Sequence, residues 1–213
     1  MSCYIEVEIP VSQDVEWFRD LRKKMFEKGI GVKWQNCHYH ITMVFIYKIP
    51  AEYHPGAIMF QSMKYKAAPF LTFDKVDAFT TKSGQHIIFL TSTSPSEEFT
   101  NMVKSVRETG DRLGYEYNPD FKLHVTLGRI DAKQINLDAL RSIIGEVDVP
   151  SFKLQLFNAR LLEYQTHKEY DSCKMFPDEE SAKEAYEERV RRAFRNAFGN
   201  IQLYTDPEEF FKS

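Results

Sequence analysis

The same short pattern, a histidine and a threonine two residues apart, occurs in two apolar, β-rich segments of the chain. The segments are Cys37-His-Tyr-His-Ile-Thr-Met-Val-Phe-Ile-Tyr47 and Phe121-Lys-Leu-His-Val-Thr-Leu-Gly128. Side chains alternate between the two faces of a β-strand, so His40 and Thr42 share one face of the first strand. His124 and Thr126 share one face of the second strand for the same reason. The opposite faces are apolar and are predicted to be buried.

Two such units suit the cleavage of a phosphodiester. The reaction requires one group that deprotonates the attacking oxygen and another that protonates the leaving oxygen. Imidazole, with an ordinary pKa of about 6.5, does either near neutral pH. The threonine hydroxyls can donate to the phosphate oxygens on which negative charge accumulates. His40 and His124 are therefore the candidate acid and base, and Thr42 and Thr126 the candidate phosphate-binding residues.

The remaining pattern predicts an α+β protein in which helices cover one side of an antiparallel sheet. A capped helix that ends near a glycine precedes each His-x-Thr strand. Ser12 is predicted to cap the first helix, which runs to about Lys28, and Ser94 to cap the second, which Gly114 ends. Further strands are predicted at 4–9, 69–80, 85–92 and 152–164, and further helices at 56–67, 136–144 and 178–198.

The two motifs resemble those of the two-histidine (2H) phosphoesterase superfamily, which includes 2′-5′ RNA ligase-like proteins and cyclic phosphodiesterases. The resemblance lies in His40-Ile-Thr-Met-Val44 and His124-Val-Thr-Leu-Gly-Arg129 and covers roughly residues 1–176. It implies a single bilobal domain, with two pseudo-symmetric lobes of antiparallel sheet flanked by helices around a central cleft. Each lobe would carry one motif, and residues 177–213 would add a C-terminal helical extension.

The resemblance also implies the roles of the motif residues. His40 and His124 correspond to the catalytic histidines of the family, and Thr42 and Thr126 to its phosphate-binding hydroxyls. The implied activity is metal-independent hydrolysis, or reversible formation, of RNA-type phosphodiesters such as 2′,3′-cyclic phosphates or 2′-5′ linkages. Which histidine acts as the base stays open at this point, because the two motifs are alike.

Three further residues are candidate substrate contacts. His38 is predicted to share the face of His40, and Lys122 that of His124. Arg129 lies where many relatives carry a basic residue, but regular alternation points it away from His124 unless the strand ends or bulges before it.

Two other functions compete with this interpretation. His38, His40 and His124 offer the three ligands of a zinc-dependent hydrolase, although such a site would leave the paired threonines unexplained. The second competing function is a module that binds an RNA end or a nucleotide without cleaving it. The presence of both histidines and both threonines disfavours this function. No cluster of acidic residues suited to two divalent ions is evident, so neither metal nor cofactor is predicted.

The composition limits the kinds of ligand and the cellular location that we expect for the protein. The formal net charge of −3 does not suit a protein that grips long duplexes, so we expect a nucleotide, a short oligonucleotide or an RNA end. Three well-separated cysteines and an N-terminus unlike a secretory signal favour a reducing, cytoplasmic location. No apolar run approaches the length of a membrane span. The sequence does not predict the oligomeric state.

Overall fold

The structure, a computed structural model, describes residues 2–198. Its helices are α1 (Glu16–Glu27), α2 (Ala57–Ser62), α3 (Glu97–Arg112), α4 (Leu137–Ile144) and α5 (Glu179–Phe198). Its strands are β1 (Cys3–Glu8), β2 (Lys33–Trp34), β3 (His40–Lys48), β4 (Phe70–Phe73), β5 (Lys75–Thr80), β6 (Gln85–Thr91), β7 (Glu116–Tyr117), β8 (Val125–Asp131), β9 (Phe152–Gln155), β10 (Asn158–Glu163) and β11 (Glu169–Lys174). None of the helices in this part of the chain has the length and apolar character needed to cross a lipid bilayer.

The main sheet is antiparallel and has the strand order β11-β10-β1-β3-β8-β6-β5. The strands β3 and β8 lie at its centre and pair with each other through Ile41 and Val125. On one side of this junction the chain runs β1-α1-β3, and on the other it runs β6-α3-β8. The predicted α+β class with two related halves is thereby confirmed, and the two halves meet in one continuous sheet.

One core holds the helices against the sheet. The helix α1 contributes Phe18 and Leu21, which are fully buried, and α3 contributes Phe99 and Val106. These side chains recur at helical spacing and form the apolar faces of their helices. Because the helices cover the apolar face of the sheet, the other face of β3 and β8 stays free for polar side chains.

Both central strands contain a β-bulge immediately after the His-x-Thr motif. In β3, Val44 pairs with Ile5 whereas Thr42 pairs with Glu6, so Met43 is the extra residue. In β8, Gly128 pairs with Ile88 and Thr126 pairs with Phe89, so one extra residue again follows the threonine. A bulge shifts the alternation of side chains by one residue.

Glycine is required at the bulge of β8. A Cβ atom on Gly128 would lie 2.7 Å from Cγ1 of Val32 and 3.0 Å from Cε3 of Trp34. Any side chain at this position would displace β2, which pairs with β8 at Gly128 and Arg129.

Several predicted boundaries are wrong. The helix α1 begins at Glu16, and Ser12 instead accepts a hydrogen bond from the backbone N–H of Asp14. The cap of α3 is Ser96, whose Oγ accepts from the N–H of Phe99, and not Ser94. The central strands begin at His40 and Val125, later than predicted. The predicted long strand at 152–164 is divided between β9 and β10, which belong to different sheets.

The predicted C-terminal helix is present as α5. Ala182 on its predicted inner face is buried, but Tyr186 and Val190 on that face are 55% and 37% exposed. Beyond Ala182 the helix contacts the region of α2 through Tyr186, whose ring centroid is 5.8 Å from that of Tyr65, and through Arg189, which donates to the hydroxyl of Tyr65. The part of the predicted 177–213 extension that follows Phe198 lies outside the described residues.

Candidate active site

The four motif side chains lie on the polar face of the central strands, around the β3–β8 junction. Since Ile41 pairs with Val125, the antiparallel register places His40 across from Thr126 and Thr42 across from His124. All four residues are partly exposed, whereas Ile41 and Val125 are fully buried. Diagonal neighbours across antiparallel strands are about 7–8 Å apart, a separation that allows two side chains to flank one phosphate group. The structure thus brings together the residues that the sequence predicted.

Each imidazole is oriented by a backbone carbonyl two residues before it. His124 has Nδ1 2.8 Å from the carbonyl oxygen of Lys122, and His40 has Nδ1 3.4 Å from that of His38. A neutral ring that donates from Nδ1 carries its lone pair on Nε2. In both halves of the site, Nε2 is therefore the nitrogen available to exchange a proton with a substrate.

His124 lies among aromatic side chains. Phe79 and Phe89 present their rings edge-on to it, with centroids 5.6 and 6.1 Å away. The ammonium group of Lys122 lies 4.0 Å from the ring centroid of Phe79 and 4.8 Å from that of Phe89. Burial lowers the pKa of His124, and the positive charge of Lys122 lowers it further. The pKa of Lys122 is itself lowered by burial.

His40 lies in a different, charged environment. The carboxylate of Glu6, a fully buried residue, has Oε2 3.5 Å from Nδ1 of His40 and Oε1 2.8 Å from Nε2 of His38. Arg160 approaches the same Oε1 with Nη2 at 2.8 Å and Nε at 3.1 Å. Burial lowers the pKa of His40, and the negative charge of Glu6 opposes this change.

His38 lies beside Glu6 and His40 for a reason that the sequence did not predict. It lies before β3 and has a left-handed backbone with φ of 58°, so strand alternation does not place it. Its ring nevertheless stacks on that of His40, with a centroid distance of 4.9 Å and an interplanar angle of 25°.

The bulge in β8 redirects Arg129 to the polar face. Ile130 is buried behind it, while Arg129 is exposed and lines the same cavity as His38, His40 and Arg160. This cavity has a volume of about 950 Å³. Arg129 forms no ion pair with any other residue in the described part of the chain. Its guanidinium is therefore available to an anionic ligand.

Sequence reasoning missed Glu6 and Arg160. Glu6 had a weak signal, since it is an acidic residue in a predicted strand whose neighbours Ile5 and Val7 are apolar. Arg160 had none, because nothing in the sequence indicates that β10 pairs with β1 and brings Arg160 opposite Glu6.

The proposed three-histidine zinc set is not the group that the structure assembles. Among the described residues, the histidine and carboxylate atoms spaced closely enough to share a metal ion belong to Glu6, His38 and His40, within 4.8 Å of one another. His124 is not part of this group. The guanidinium of Arg160 contacts both His38 and Glu6, and its charge disfavours a second cation there.

Comparison with known proteins finds one curated relative by sequence and several solved structures with a similar fold. No family model matches the chain. An RNA 2′,3′-cyclic phosphodiesterase of Archaeoglobus fulgidus is 28% identical over 122 residues, which cover 54% of this chain and 68% of the relative.

Solved structures share the fold at low sequence identity. Usb1 of Kluyveromyces marxianus with uridine monophosphate has a TM-score of 0.56 at 11% identity, covering 82% of this chain and 98% of Usb1. TT0787 of Thermus thermophilus has a TM-score of 0.55 at 16% identity, with the same two coverages. A structure described as a phosphoesterase has a TM-score of 0.52 at 13% identity, covering 81% of this chain and 97% of that protein.

Sequence similarity thus relates about half of the chain to an RNA 2′,3′-cyclic phosphodiesterase, and the solved structures show that the chain has a fold that a phosphoesterase also adopts.

Proposed function

We propose that the protein is a metal-independent phosphodiesterase that acts on RNA-type phosphodiesters, with His40 and His124 as its acid–base pair. The observation that carries this proposal is the placement of two imidazoles and two threonine hydroxyls on one face of the β3–β8 junction. This arrangement supplies a proton acceptor, a proton donor and two hydrogen-bond donors around one position.

The chemistry of a 2′,3′-cyclic phosphate illustrates the roles. One neutral imidazole accepts a proton from water as its oxygen attacks phosphorus. The bond from phosphorus to one ribose oxygen breaks, and the second, charged imidazole donates a proton to that oxygen. The product is a phosphate monoester on the other ribose oxygen, and the two histidines have exchanged protonation states.

Neighbouring groups stabilise the charge that develops on the phosphate. Thr42 and Thr126 are placed to donate hydrogen bonds to its non-bridging oxygens. Arg129 and Lys122 add positive charge from β8 and from the segment before it. Arginine suits this task because its guanidinium can donate two parallel hydrogen bonds to a phosphate.

The substrate class follows from the relatives and from the surface. The Archaeoglobus fulgidus relative is named for RNA 2′,3′-cyclic phosphates, and the Usb1 structure contains uridine monophosphate. A cavity of about 950 Å³ next to His40 supports a nucleotide or the end of a short RNA as the ligand. The net charge of −3 disfavours long duplexes.

Two further assignments belong to this proposal. Residues 1–176 form the phosphoesterase domain, and 177–213 are an extension that the reaction does not require. The cytoplasm is the proposed location, since Cys3, Cys37 and Cys173 are free thiols and suit a reducing compartment.

The test is a substrate screen with purified protein dialysed against EDTA. Nucleoside 2′,3′-cyclic phosphates and 2′-5′-linked oligonucleotides are the substrates, and the position of the product phosphate is determined. We expect turnover without added metal and a single monoester product from each cyclic phosphate. Activity that EDTA abolishes and zinc restores would instead support a metal-dependent hydrolase. Binding of these ligands without turnover would support a non-catalytic RNA-end module.

A further inference from the structure

The buried carboxylate of Glu6 is incompletely satisfied. Its Oε1 contacts both Arg160 and His38, but Oε2 has no hydrogen-bond partner among the residues that the structure describes. A buried carboxylate oxygen that lacks a donor is energetically unfavourable. A candidate donor is Nδ1 of His40, at 3.5 Å.

Nδ1 of His40 lies between two acceptors. The carbonyl oxygen of His38 is 3.4 Å away and Oε2 of Glu6 is 3.5 Å away, and both distances are long for a hydrogen bond. His124, in contrast, has Nδ1 held at 2.8 Å by one carbonyl. A small rotation of the His40 ring would therefore exchange a neutral acceptor for a charged one, an option that His124 does not have.

The two halves of the sheet differ at the corresponding position. Glu6 pairs with Thr42 on β3, and Phe89 pairs with Thr126 on β8. The acid–base pair thus has a carboxylate beside one histidine and an aromatic ring beside the other. A carboxylate stabilises an imidazolium, whereas an aromatic, partly buried environment with a nearby ammonium group disfavours it.

We propose that Glu6 is a positioning residue that binds the charged form of His40 through Nδ1 and thereby makes His40 the general acid and His124 the general base. The inference rests on the proposed phosphodiesterase function. In the cyclic phosphate reaction, His124 takes the proton of the attacking water and His40 protonates the departing ribose oxygen. Glu6 touches no substrate atom in this scheme and acts only through His40.

Arg160 and His38 hold Glu6 in place for this role. Arg160 contacts Oε1 with two nitrogens, which fixes the carboxylate and leaves Oε2 directed at His40. The other titratable or charged groups around His40 are Tyr4, whose ring centroid is 6.1 Å from that of His40, Glu8, which pairs with His40 between β1 and β3, Arg129 in the same cavity, and His124 across the junction. Glu6 and Glu8 are the acidic residues of this set, but Glu8 is exposed, whereas Glu6 is buried with a carboxylate oxygen 3.5 Å from Nδ1 of His40.

The first test follows the histidine rings by NMR as a function of pH in Glu6→Gln. This variant keeps the shape of residue 6 and removes its charge. We expect the titration of His40 to move to lower pH, with at least about a tenfold change in its acid dissociation constant, while that of His124 moves much less. Glu6→Asp retains the charge and is expected to recover part of the shift. Glu184→Gln, which removes the charge of an exposed glutamate on α5, is the matched control.

The second test compares two substrates whose leaving groups differ in their need for a proton. A nucleoside 3′-(p-nitrophenyl phosphate) releases a phenolate that needs no proton, whereas a cyclic phosphate releases an alkoxide that does. We expect Glu6→Gln to lower kcat on the cyclic phosphate by about tenfold or more and to affect release of p-nitrophenolate at most threefold. Equal losses on both substrates would overturn the assignment of His40 as the acid.

The two tests separate this inference from the proposed function. If the wild-type protein turns over neither substrate, the phosphodiesterase proposal fails, while the NMR titration still measures the coupling of Glu6 to His40. If the protein is active but the His40 titration is unchanged in a folded Glu6→Gln variant, the role of Glu6 is wrong. Circular dichroism checks that each variant is folded.

Discussion

Phe89 occupies, opposite Thr126, the position that Glu6 occupies opposite Thr42. The two residues belong to corresponding strands, β6 and β1, that flank the two central strands of the sheet. The two halves of the sheet therefore share the same backbone arrangement, but the side chain next to the histidine differs between them. This difference gives two similar motifs distinct chemical environments.

Replacing either histidine should abolish most of the activity. We expect His40→Ala and His124→Ala each to lower kcat by about 10²–10⁴-fold, as is typical when a general acid or base is lost. Steady-state turnover of a 2′,3′-cyclic nucleotide measures the effect. His54→Gln, an exposed histidine outside the site, should retain wild-type activity. A loss below tenfold in both alanine variants would contradict the proposed pair.

Removing one threonine hydroxyl should weaken stabilisation of the transition state without disturbing the fold. Thr42→Val and Thr126→Val retain the shape of the side chain and should lower kcat/KM by about 10–100-fold, the effect of one hydrogen bond to a charged group. Thr72→Val in β4 is the control, because Thr72 is a partly buried strand residue far from the motifs in sequence. Kinetics no different from those of the control would show that the hydroxyls do not bind phosphate.

The position of Arg129 after the β8 bulge predicts a contact with the anionic substrate. Arg129→Gln should lower kcat/KM by about 10–100-fold, because a charge-assisted hydrogen bond to phosphate is lost. Arg129→Lys should recover only part of the activity, since lysine cannot form the bidentate contact. The exposed Arg19 on α1 provides the control variant Arg19→Gln, and an equal effect there would indicate only a general charge effect.

The pH dependence of kcat/KM should be bell-shaped, with its maximum below about pH 6.5. Burial lowers the pKa of both His40 and His124, so both rings are mainly neutral at pH 7. The rate falls as pH rises through the pKa of the acid, which loses its proton, and falls at low pH because the base becomes protonated. A pH–rate profile from pH 4.5 to 9 measures this.

Substitution of Lys122 tests the same dependence of kcat/KM on pH. Its positive charge lowers the pKa of His124, so Lys122→Met should raise that pKa and move the acidic limb to higher pH. The alkaline limb, assigned to His40, should stay in place. A maximum above pH 8 in the wild type, or a shift of the alkaline limb alone in Lys122→Met, would contradict the assignment.

Much of the fold could be predicted from local pattern. Alternation in the two motif segments and apolar spacing in α1 and α3 identified the elements that build both halves. The boundaries were less certain. The proline and the glutamate that follow Ser94 favoured it as the cap of α3, but the cap is Ser96, whose hydroxyl also donates to the carbonyl of Phe70 in β4, a contact between distant parts of the chain. His38 was assigned to the correct neighbourhood for the wrong reason, since its left-handed backbone is not visible in a sequence pattern.

The sequence by itself determined which side chains share a face, because alternation along a strand is a local property of the extended backbone. His40 with Thr42, and His124 with Thr126, followed from it directly. Only the tertiary structure decided that β3 and β8 pair in a register that joins these residues in one site. It also decided that the bulge in β8 turns Arg129 toward the cavity, that Glu6 lies beside His40 and that Arg160 contacts Glu6. These relationships depend on contacts between residues far apart in the chain, which the packing of one shared core selects.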